Sequence, residues 1–520
     1  MIKKQLATAV SVVLIGTLAT SMVFAEEKKI VTKSDKDATM VKLIDALYES
    51  GTIDTKAYEA LRISAQADAQ SKNKEQEVIR ENVKQVAAEE GKKSATALVD
   101  ERVKPAHPND LNGSYKKGFA WGSEDMQHQL VINGRIQTDY RVLNSADELT
   151  TDKFDLRRAY LQFSGHVYDK WEYMFIGGFN SSQARPIFWY MNAHLWKEAQ
   201  LQFGQLRVPF GQNEWTSSRN IDFIERSLPM QFIPGIDKGI MLHGMPIHGL
   251  YYAFAAVNGG VRSNAGLPTT VEDTSDVDGK DLIGHVALDM AKVLGHKDNI
   301  YNFGVSYGFG SQPTGTATSS TDRSFSPISR TESGSGLTSF QSDNFSTVDN
   351  SIELNRFGAQ TIIAHGPYKF AAEYVKNRFE GTAKATRQNF NRDLDSYYLS
   401  AFWLLTGEKY ADFFSNNGSS GDVIPHHNFD MKGGWGAWEL GVRYSHLDAS
   451  DFTFQNAVGT GRLSSGMSNE SDAYTVGLKW YVNPQVRFLA NYVHSEFNMP
   501  IGKTNEKSES ALSFRAQLQF

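Results

Sequence analysis

The feature that most constrains this chain is a regular alternation of apolar and polar residues in stretches of about ten residues, the length of a membrane-spanning strand. In Leu130–Val142 the even positions are mostly apolar or aromatic, whereas the odd positions from Asn133 onward are Asn, Arg, Gln, Asp and Arg. Ala511–Phe520 repeats the pattern. Because successive side chains of a strand point to opposite faces, each stretch predicts a strand with one apolar and one polar face.

The same pattern recurs between these two stretches, for example in Tyr301–Tyr307, Phe357–Ile363 and Tyr474–Trp480. We count about sixteen such segments, and an even number is typical of bacterial outer-membrane barrels. A charged strand face is too polar for the core of a soluble domain but suits the interior of a transmembrane barrel. The sequence therefore predicts an all-β fold, a transmembrane antiparallel β-barrel of about sixteen strands with an N-terminal helical extension. A soluble β-rich binding protein is the least favoured alternative.

The connections between the predicted strands differ greatly in length. Short polar segments after Val167 and after Val482 indicate tight turns. Gly308–Asp349 and Asp412–Lys432 are long and polar. Outer-membrane barrels carry short turns at one rim and long loops at the other. We therefore expect both long segments at the rim that carries the long loops.

Composition agrees with a barrel and excludes several other classes. The chain has no cysteine, 12% aromatic residues and a net charge of −6. Its mean hydropathy is −0.41, and no internal run reaches the roughly 18 apolar residues of a membrane helix. The negative charge argues against a nucleic-acid partner.

The N-terminal region differs from the rest. Residues 1–25 combine a basic start, an apolar run and small residues at the end, which predicts a secretory signal peptide and export to the bacterial outer membrane. Residues 26–104 show helical spacing and form a predicted periplasmic helical extension, and residues 105–520 the barrel. A thin apolar stripe in Ala65–Ala88 favours a coiled coil, although a solvated segment explains it equally well.

Several stretches resemble the phosphate-selective porin O and P family of Gram-negative outer membranes. They are Leu156–Phe163, Leu201–Gln205, Phe223–Arg226, Tyr397–Glu408, Gly436–Tyr444 and Gly477–Tyr481. The resemblance implies a sixteen-stranded barrel, a homotrimer, and inward-folded loops that form an anion-favouring constriction. It also implies that Arg157, Arg158 and Tyr160 match a segment that supplies arginines to the constriction. Lysines that help to hold phosphate in the family align with Glu172 and Glu214, which argues against strong phosphate specificity.

Alternation alone assigns a set of basic residues to the lumen. Rings of such residues favour anions such as phosphate or chloride. For any one of them, pairing with a carboxylate of the wall is an equally good interpretation. The set is Arg135, Arg141, Arg158, Arg356, Arg443, Lys479, Arg487 and Arg515. Arg157 is out of phase with Arg158 and is expected at a bulge or a rim.

The segment Pro209–Gly235 is predicted to fold inward and narrow the pore, although an ordinary exposed loop is an alternative. Its candidate constriction residues are Trp215, Arg219, Asp222, Glu225 and Arg226. The pair His426–His427 lacks a third ligand, so no metal site is expected, and no cofactor or catalytic set stands out.

The sequence thus predicts an outer-membrane porin, not an enzyme, that conducts small hydrophilic solutes with a modest preference for anions. Outer-membrane lipid and small anions are its expected partners, with peptidoglycan as a partner of the N-terminal extension. One alternative is an envelope-anchoring or adhesion protein whose extension or loops carry the function. A membrane-embedded hydrolase is a further alternative.

Overall fold

The computed structural model describes residues 45–47, 49–51, 54–64, 114–115, 118–123, 125, 127–144, 152–181, 183–259, 280–314, 325–503 and 505–520. The chain divides into two compact units, Met1–Asp110 and Leu111–Phe520. In the first unit residues 55–64 are helical. The Asp54 side chain caps this helix by accepting a hydrogen bond from the Ala57 N–H at 2.7 Å. The predicted signal peptide and coiled coil lie outside the described residues.

The second unit is built from strands of very different length. The strands are β1 (Ser114–Tyr115), β2 (Phe119–Gly122), β3 (Gln129–Asn144), β4 (Lys153–Val167), β5 (Trp171–Gly178), β6 (Arg185–Ala193), β7 (Gln200–Arg207), β8 (Ile236–Ile247), β9 (Leu250–Val257), β10 (Asp281–Asp289), β11 (Asn299–Pro313), β12 (Ile328–Arg330), β13 (Thr338–Gln341), β14 (Ser351–His365), β15 (Tyr368–Thr382), β16 (Asn389–Leu404), β17 (Ala437–Asp448), β18 (Glu470–Tyr481), β19 (Val486–Ile501) and β20 (Glu506–Gln519). Short helices span Gln212–Trp215 and Met290–Val293, and 3₁₀ turns span Leu228–Gln231 and Tyr410–Phe413. No helix among the described residues is long and apolar enough to cross a membrane.

Sixteen of these strands, β3–β11 and β14–β20, pair antiparallel in chain order, and β20 then pairs with β3 to close the barrel. Closure confirms the predicted fold. The short strand β2 pairs with the part of β3 that β20 does not reach. Phe520 exchanges backbone hydrogen bonds of 3.0 and 3.1 Å with Gly134 at this junction. A closed barrel leaves no unpaired sheet edge.

Side chains alternate across the wall as the sequence pattern predicts. In β20 the side chains of Leu512, Phe514 and Leu518 are exposed on the outer face, whereas Arg515 and Gln517 are buried on the lumen side. An apolar outer face can contact lipid, while polar side chains in the lumen contact each other or water.

Aromatic side chains form two bands on the outer face. One band contains Trp403, Trp438, Trp480 and Tyr368, with Trp438 and Trp480 stacked at 5.3 Å. The second band contains Tyr397, Tyr444 and Tyr474. On β16, β17 and β18 the two bands lie six residues apart, which corresponds to about 20 Å of strand. Exposed aliphatic residues such as Leu440 and Val476 lie between them. Such bands mark the two membrane interfaces of outer-membrane barrels.

The two rims differ in the length of their connections. One rim, here the turn rim, carries the turns at 168–170, 248–249, 366–367 and 482–485. The opposite rim, the loop rim, carries the long connections 208–235, 314–350 and 449–469.

The segment between β16 and β17, residues 405–436, is long but leaves the barrel at the turn rim, because β16 runs toward that rim. The prediction that it belongs to the loop side is wrong.

The hydrophobic core lies inside the barrel, where inward-folded connections cover part of the wall. Phe223 of the 208–235 connection packs with Phe402 of the wall, in a cluster that also contains Phe414 of the 405–436 segment. A second cluster near the loop rim joins Phe340 and Phe345 to Phe452. A third covers β8–β10. The lumen face of β4–β7 belongs to none of these clusters apart from Leu206.

Candidate functional site

The eight basic side chains that alternation assigns to the lumen all lie on the inner phase of their strands. Each is 8% exposed or less, and they are Arg135, Arg141, Arg158, Arg356, Arg443, Lys479, Arg487 and Arg515. Burial of this degree means that the neighbours of each cation decide what it can do, since an unpaired buried charge is costly.

Arg157 lies at a β-bulge, which confirms the prediction from its phase. Gln137 pairs with Arg158 in the β3–β4 register, but the next residue of β3, Thr138, pairs with Leu156. The extra residue allows Arg157 and Arg158 both to reach the interior. Arg157 donates hydrogen bonds of 3.0 Å from Nε and Nη2 to the two carboxylate oxygens of Glu225.

The connection 208–235 is held inside the lumen by the wall. Glu373 of β15 accepts hydrogen bonds from the backbone N–H groups of Gln212 and Asn213 at 2.8 and 2.7 Å. Near the other end, Arg515 donates to the Ile224 carbonyl at 2.9 Å. The Ile224 N–H donates to Asn491 Oδ1 at 2.9 Å. These contacts with β15, β19 and β20 fix the position of the loop tip.

Glu225 at the loop tip joins a cluster of three arginines. Its Oε1 lies 2.8 Å from Arg141 Nη2, and Arg141 also contacts Asp139 at 2.6 Å. Arg515 binds Asp139 through two hydrogen bonds. Burial alone would raise the pKa of the Glu225 carboxyl, but the charge of Arg157 and its hydrogen bonds, with the charges of Arg141 and Arg515, hold that pKa well below its usual range. Three guanidinium groups thus face two carboxylates.

Further carboxylates reach the wall from the inward-folded segments. Asp222 of the 208–235 connection lies 2.5 Å from Lys369 of β15. Glu332, between β12 and β13, lies 2.6 Å from Arg443 and accepts the Leu228 N–H.

Asp422 of the 405–436 segment contacts Arg487 at 3.3 Å and Arg219 at 3.4 Å. Three inward segments therefore each place a carboxylate against a wall cation.

Two more wall cations pair with carboxylates of the wall itself. Arg356 contacts Asp281 at 2.6 Å, and Lys479 contacts Glu439 at 3.3 Å. Their positive charge is compensated locally.

Arg135 and Arg158 differ from the other lumen cations. Among the described residues, neither has a carboxylate within ion-pair distance. Arg135 donates to Ser218 Oγ at 3.1 Å and lies 5.0 Å from the ring centre of Tyr160. Arg158 donates to Gln137 Oε1 at 2.9 Å. Since Arg135 pairs with Tyr160 and Gln137 with Arg158, the two arginines are diagonal neighbours on adjacent strands. Two positive charges thus share one part of the wall with neutral partners.

The remaining predicted loop residues stabilise the connection itself. Trp215 packs against Tyr251 of β9, with their ring centres 5.8 Å apart. Arg226 contacts Glu214 at 2.9 Å and donates to the backbone carbonyls of Asn213 and Thr216. Glu214 is therefore paired inside the loop.

Glu172 lies elsewhere, at the turn rim, where its carboxylate contacts His194 at 2.9 Å.

Sequence reasoning missed Lys369, Glu332 and Asp422. Lys369 is in the inward phase of β15, so alternation could have found it. Glu332 and Asp422 lie in irregular segments without a periodic signal.

A closed sixteen-stranded barrel with apolar exterior, aromatic bands and a charged lumen defines an outer-membrane porin. The profile of the family described as phosphate-selective porin O and P matches residues 131–520. The chain belongs to this family. It is an outer-membrane diffusion channel and not an enzyme, as predicted.

Individual relatives are distant. Porin O of Pseudomonas aeruginosa is 22% identical over 423 residues, which cover 78% of this chain and 91% of that protein. Among solved structures, a loop-deletion form of OmpT of Vibrio cholerae gives a TM-score of 0.45 at 9% identity, covering 76% of this chain and all of the other. An anion-selective porin from Comamonas acidovorans gives 0.43 at 11% identity, with 76% and 100% covered.

Proposed function

We propose that the channel conducts small hydrophilic anions, including phosphate and chloride, and that Arg135, Arg158 and Tyr160 form its anion contact. The observation that carries this proposal is the absence of an ion-paired carboxylate at Arg135 and Arg158 among the described residues. An anion that reaches them is attracted by two positive charges and does not have to displace a fixed counterion. The family's printed description, phosphate-selective, supports the same class of solute.

The preference for anions is proposed to be modest. The other lumen cations face Asp139, Asp222, Glu225, Glu332 and further carboxylates, so their field on a passing ion is largely cancelled. Glu172 adds a negative charge near the turn rim. The channel is therefore proposed to conduct phosphate without the tight phosphate binding of a fully cationic constriction.

Reversal potentials of detergent-purified protein in a planar bilayer under a KCl gradient test this assignment. Arg158→Gln is expected to lower the anion-to-cation permeability ratio by about two- to fivefold, because it removes a charge without a fixed counterion.

The matched control is Arg356→Gln, together with Asp281→Asn so that no charge is left unpaired. Equal effects of the Arg158 variant and this control would contradict the proposal. Inorganic phosphate added to both should reduce chloride current only where Arg158 is intact.

We further infer a homotrimer that forms through the outer face of β4–β6. The strands are shorter there than on the opposite side of the barrel: β5, β6 and β7 have 8, 9 and 8 residues, whereas β14–β16 have 15 or 16. Phe154, 78% exposed between Lys153 and Asp155, lies at the loop rim of this face, as does Phe179. Exposed apolar side chains rimmed by polar residues are a feature of protein–protein contact sites. A monomeric native mass in detergent would contradict this assignment.

The N-terminal assignments stay proposals: residues 1–25 as a signal peptide, and residues 26–104 as a periplasmic extension that contacts peptidoglycan. Helical residues 55–64 support the helical character of the extension. Co-sedimentation of the full chain, but not of a chain lacking residues 26–104, with isolated peptidoglycan tests the contact.

A further inference from the structure

Two neighbouring strands of the wall carry apolar side chains on the face that borders the lumen, where a porin is usually polar. Met174 of β5 pairs with Tyr190 of β6, and Ile176 of β5 pairs with Phe188 of β6. All four are in the lumen phase, because the β4–β5 and β5–β6 registers place them on the same face as Arg158. We define Met174, Ile176, Phe188 and Tyr190 as the apolar strip.

The apolar strip borders the open part of the lumen. Within the described part of the chain, none of its four residues belongs to the hydrophobic clusters that contain the inward-folded connections. The side chains of Met174, Ile176 and Tyr190 are partly exposed, whereas Phe188 is buried. Apolar side chains that stay in contact with water and are rimmed by polar residues are a feature of ligand-binding grooves. The strip is therefore placed to contact solutes that pass along this side of the channel.

The strip begins beside the anion contact proposed above. Tyr160 pairs with Gly178 of β5, so Ile176 is a diagonal neighbour of Tyr160, at about 7–8 Å. The Arg135 guanidinium lies 5.0 Å from the centre of the Tyr160 ring. A solute whose anionic group binds Arg135 and Arg158 can therefore extend toward the turn rim over the strip.

Glycines keep the wall beside the strip low. Gly178 lies opposite Tyr160, and Gly204 of β7 lies opposite Tyr190. Gly204 has a φ of 128°, and a Cβ added there would lie 2.3 Å from the Trp189 carbonyl oxygen. Glycine inside a strand is common where a ligand approaches the backbone closely. These positions leave room for a flat apolar group against the strip.

The charges around the strip favour a solute with one charged end. Arg207 lies 5.2 Å from the centre of the Phe188 ring, and its guanidinium contacts Glu214 at 3.4 Å. Glu172 is two residues farther toward the turn rim than Met174, on the same face of β5, and its side chain is 43% exposed. A second anionic group at that end of the solute would be repelled by Glu172.

We propose that the anion contact and the apolar strip form one binding site for organic anions. A phosphate or carboxylate head binds Arg135 and Arg158, and a flat apolar body lies over Ile176, Met174 and Tyr190. Removal of apolar surface from water adds to the attraction by the two charges, so such a solute binds more tightly than a hydroxylated one of equal charge. This inference rests on the channel function proposed above and names the class of solute that the site takes.

The test is block of the single-channel KCl current of the full chain in a planar bilayer by two phosphate monoesters. Phenyl phosphate has a flat apolar body, whereas glycerol phosphate has a hydroxylated body and the same charged head. We expect phenyl phosphate to reach half-block at about five- to tenfold lower concentration, because its ring covers apolar surface of the strip. Block by inorganic phosphate measures the anion contact alone.

Met174→Gln with Ile176→Gln makes the strip polar without changing any charge. It should bring the half-blocking concentrations of the two monoesters within about twofold of each other. The matched control, Met431→Gln with Ile424→Gln, makes the same exchanges at exposed side chains of the 405–436 segment and should keep the full preference.

Gln162→Leu provides a second test that keeps the strip intact. Gln162 lies opposite Ile176 on β4, so leucine there extends the apolar surface by one strand. The preference for phenyl phosphate should increase about twofold, with block by glycerol phosphate unchanged.

The outcomes separate the apolar strip from the anion contact. A preference for phenyl phosphate that persists in the Met174 and Ile176 double variant, or that Gln162→Leu leaves unchanged, would overturn the role of the strip. Equal block by the two monoesters in the unaltered protein, with block by inorganic phosphate still dependent on Arg158, would overturn the strip alone. If none of the three phosphates blocked the current, the anion contact and the strip would both be wrong.

Discussion

Arg515 and Asp139 face each other across the junction where β20 pairs with β3, and they are joined by hydrogen bonds of 2.6 and 2.8 Å. Both side chains are almost completely buried. A buried ion pair with two hydrogen bonds therefore spans the last pairing that closes the barrel. Arg515 also donates to the Ile224 carbonyl, so the same residue links closure to the position of the loop tip.

Asp139→Ala is expected to destabilise the barrel by about 3–5 kcal/mol, because it leaves the buried charge of Arg515 with one distant carboxylate. Unfolding in urea, followed by the loss of β-structure signal in detergent, measures the change. The double variant Asp139→Leu with Arg515→Met should recover most of the stability, since a buried ion pair can be replaced by apolar packing. Equal destabilisation by the single and double variants would contradict this account.

Glu225→Gln is expected to raise the anion-to-cation permeability ratio about two- to tenfold, because Arg141 and Arg157 lose their shared counterion. Reversal potentials measure the ratio. Asp155→Asn is the matched control, since the Asp155 side chain is exposed and its carboxylate comes no closer than 3.9 Å to the Arg141 guanidinium. An unchanged ratio in the Glu225 variant would show that these arginines do not sense permeating ions.

The pH dependence of the Glu225 contact follows from the depressed pKa of its carboxyl. A carboxyl whose pKa is lower in the folded state stabilises that state above its unfolded pKa of about 4.3, and the stabilisation is lost as the pH falls through the folded pKa. Because the folded pKa is well below the usual range, loop docking should be constant from neutral pH down to about pH 4.3 and weaken only in stronger acid. Limited proteolysis of the loop across this range measures docking. Release near pH 5 would contradict the assignment.

The sequence predicts the barrel wall well because the alternation that defines it is local. Period two identified the strands, the lumen phase of eight cations and the bulge at Arg157. It could not identify their partners. Glu332 and Arg443 are 111 residues apart, and Asp422 and Arg487 are 65 apart, with the carboxylate of each pair in an irregular segment. Such pairs depend on how loops fold inside a closed cylinder, which no periodic pattern records.

The prediction that residues 405–436 lie at the loop rim is wrong for a related reason. Its length and polarity are those of a loop-rim connection, and only the direction of β16 assigns it to the turn rim. An error of one strand in counting reverses that assignment.

Asp422→Ala should increase single-channel conductance by roughly 1.5- to 2-fold and add open-channel noise, because the 405–436 segment loses its ionic contacts with Arg219 and Arg487 inside the lumen. Asp412→Ala removes an exposed carboxylate from the same segment and should leave conductance unchanged. If the Asp422 and Asp412 variants conduct alike, the apolar contacts of Phe414 and Val423 suffice to hold the segment.

Phe223 packs over two glycines that pair across β17 and β18, Gly441 and Gly477. A Cβ added at Gly477 would lie 2.8 Å from the Phe223 ring and 2.2 Å from Asn491 Nδ2. Asn491 also accepts the Ile224 N–H, so Gly477→Ala disturbs two of the contacts that hold the loop tip. We expect a destabilisation of about 1–3 kcal/mol and faster proteolysis within residues 208–235.

Phe223→Ala removes the ring that the new methyl group would meet. The double variant Gly477→Ala with Phe223→Ala should therefore be less destabilised than the sum of the two single variants, by about 0.5–3 kcal/mol. Gly284→Ala, which adds a methyl group beside Phe254 on the outer face, is the control and should leave proteolysis of the loop unchanged. If the changes in the free energy of unfolding caused by Gly477→Ala and Phe223→Ala were strictly additive, the position of the Phe223 ring would not depend on the space above the paired glycines. A coupling of the expected size would instead show that the two wall glycines, by leaving room for the Phe223 ring, determine how deeply the loop enters the lumen.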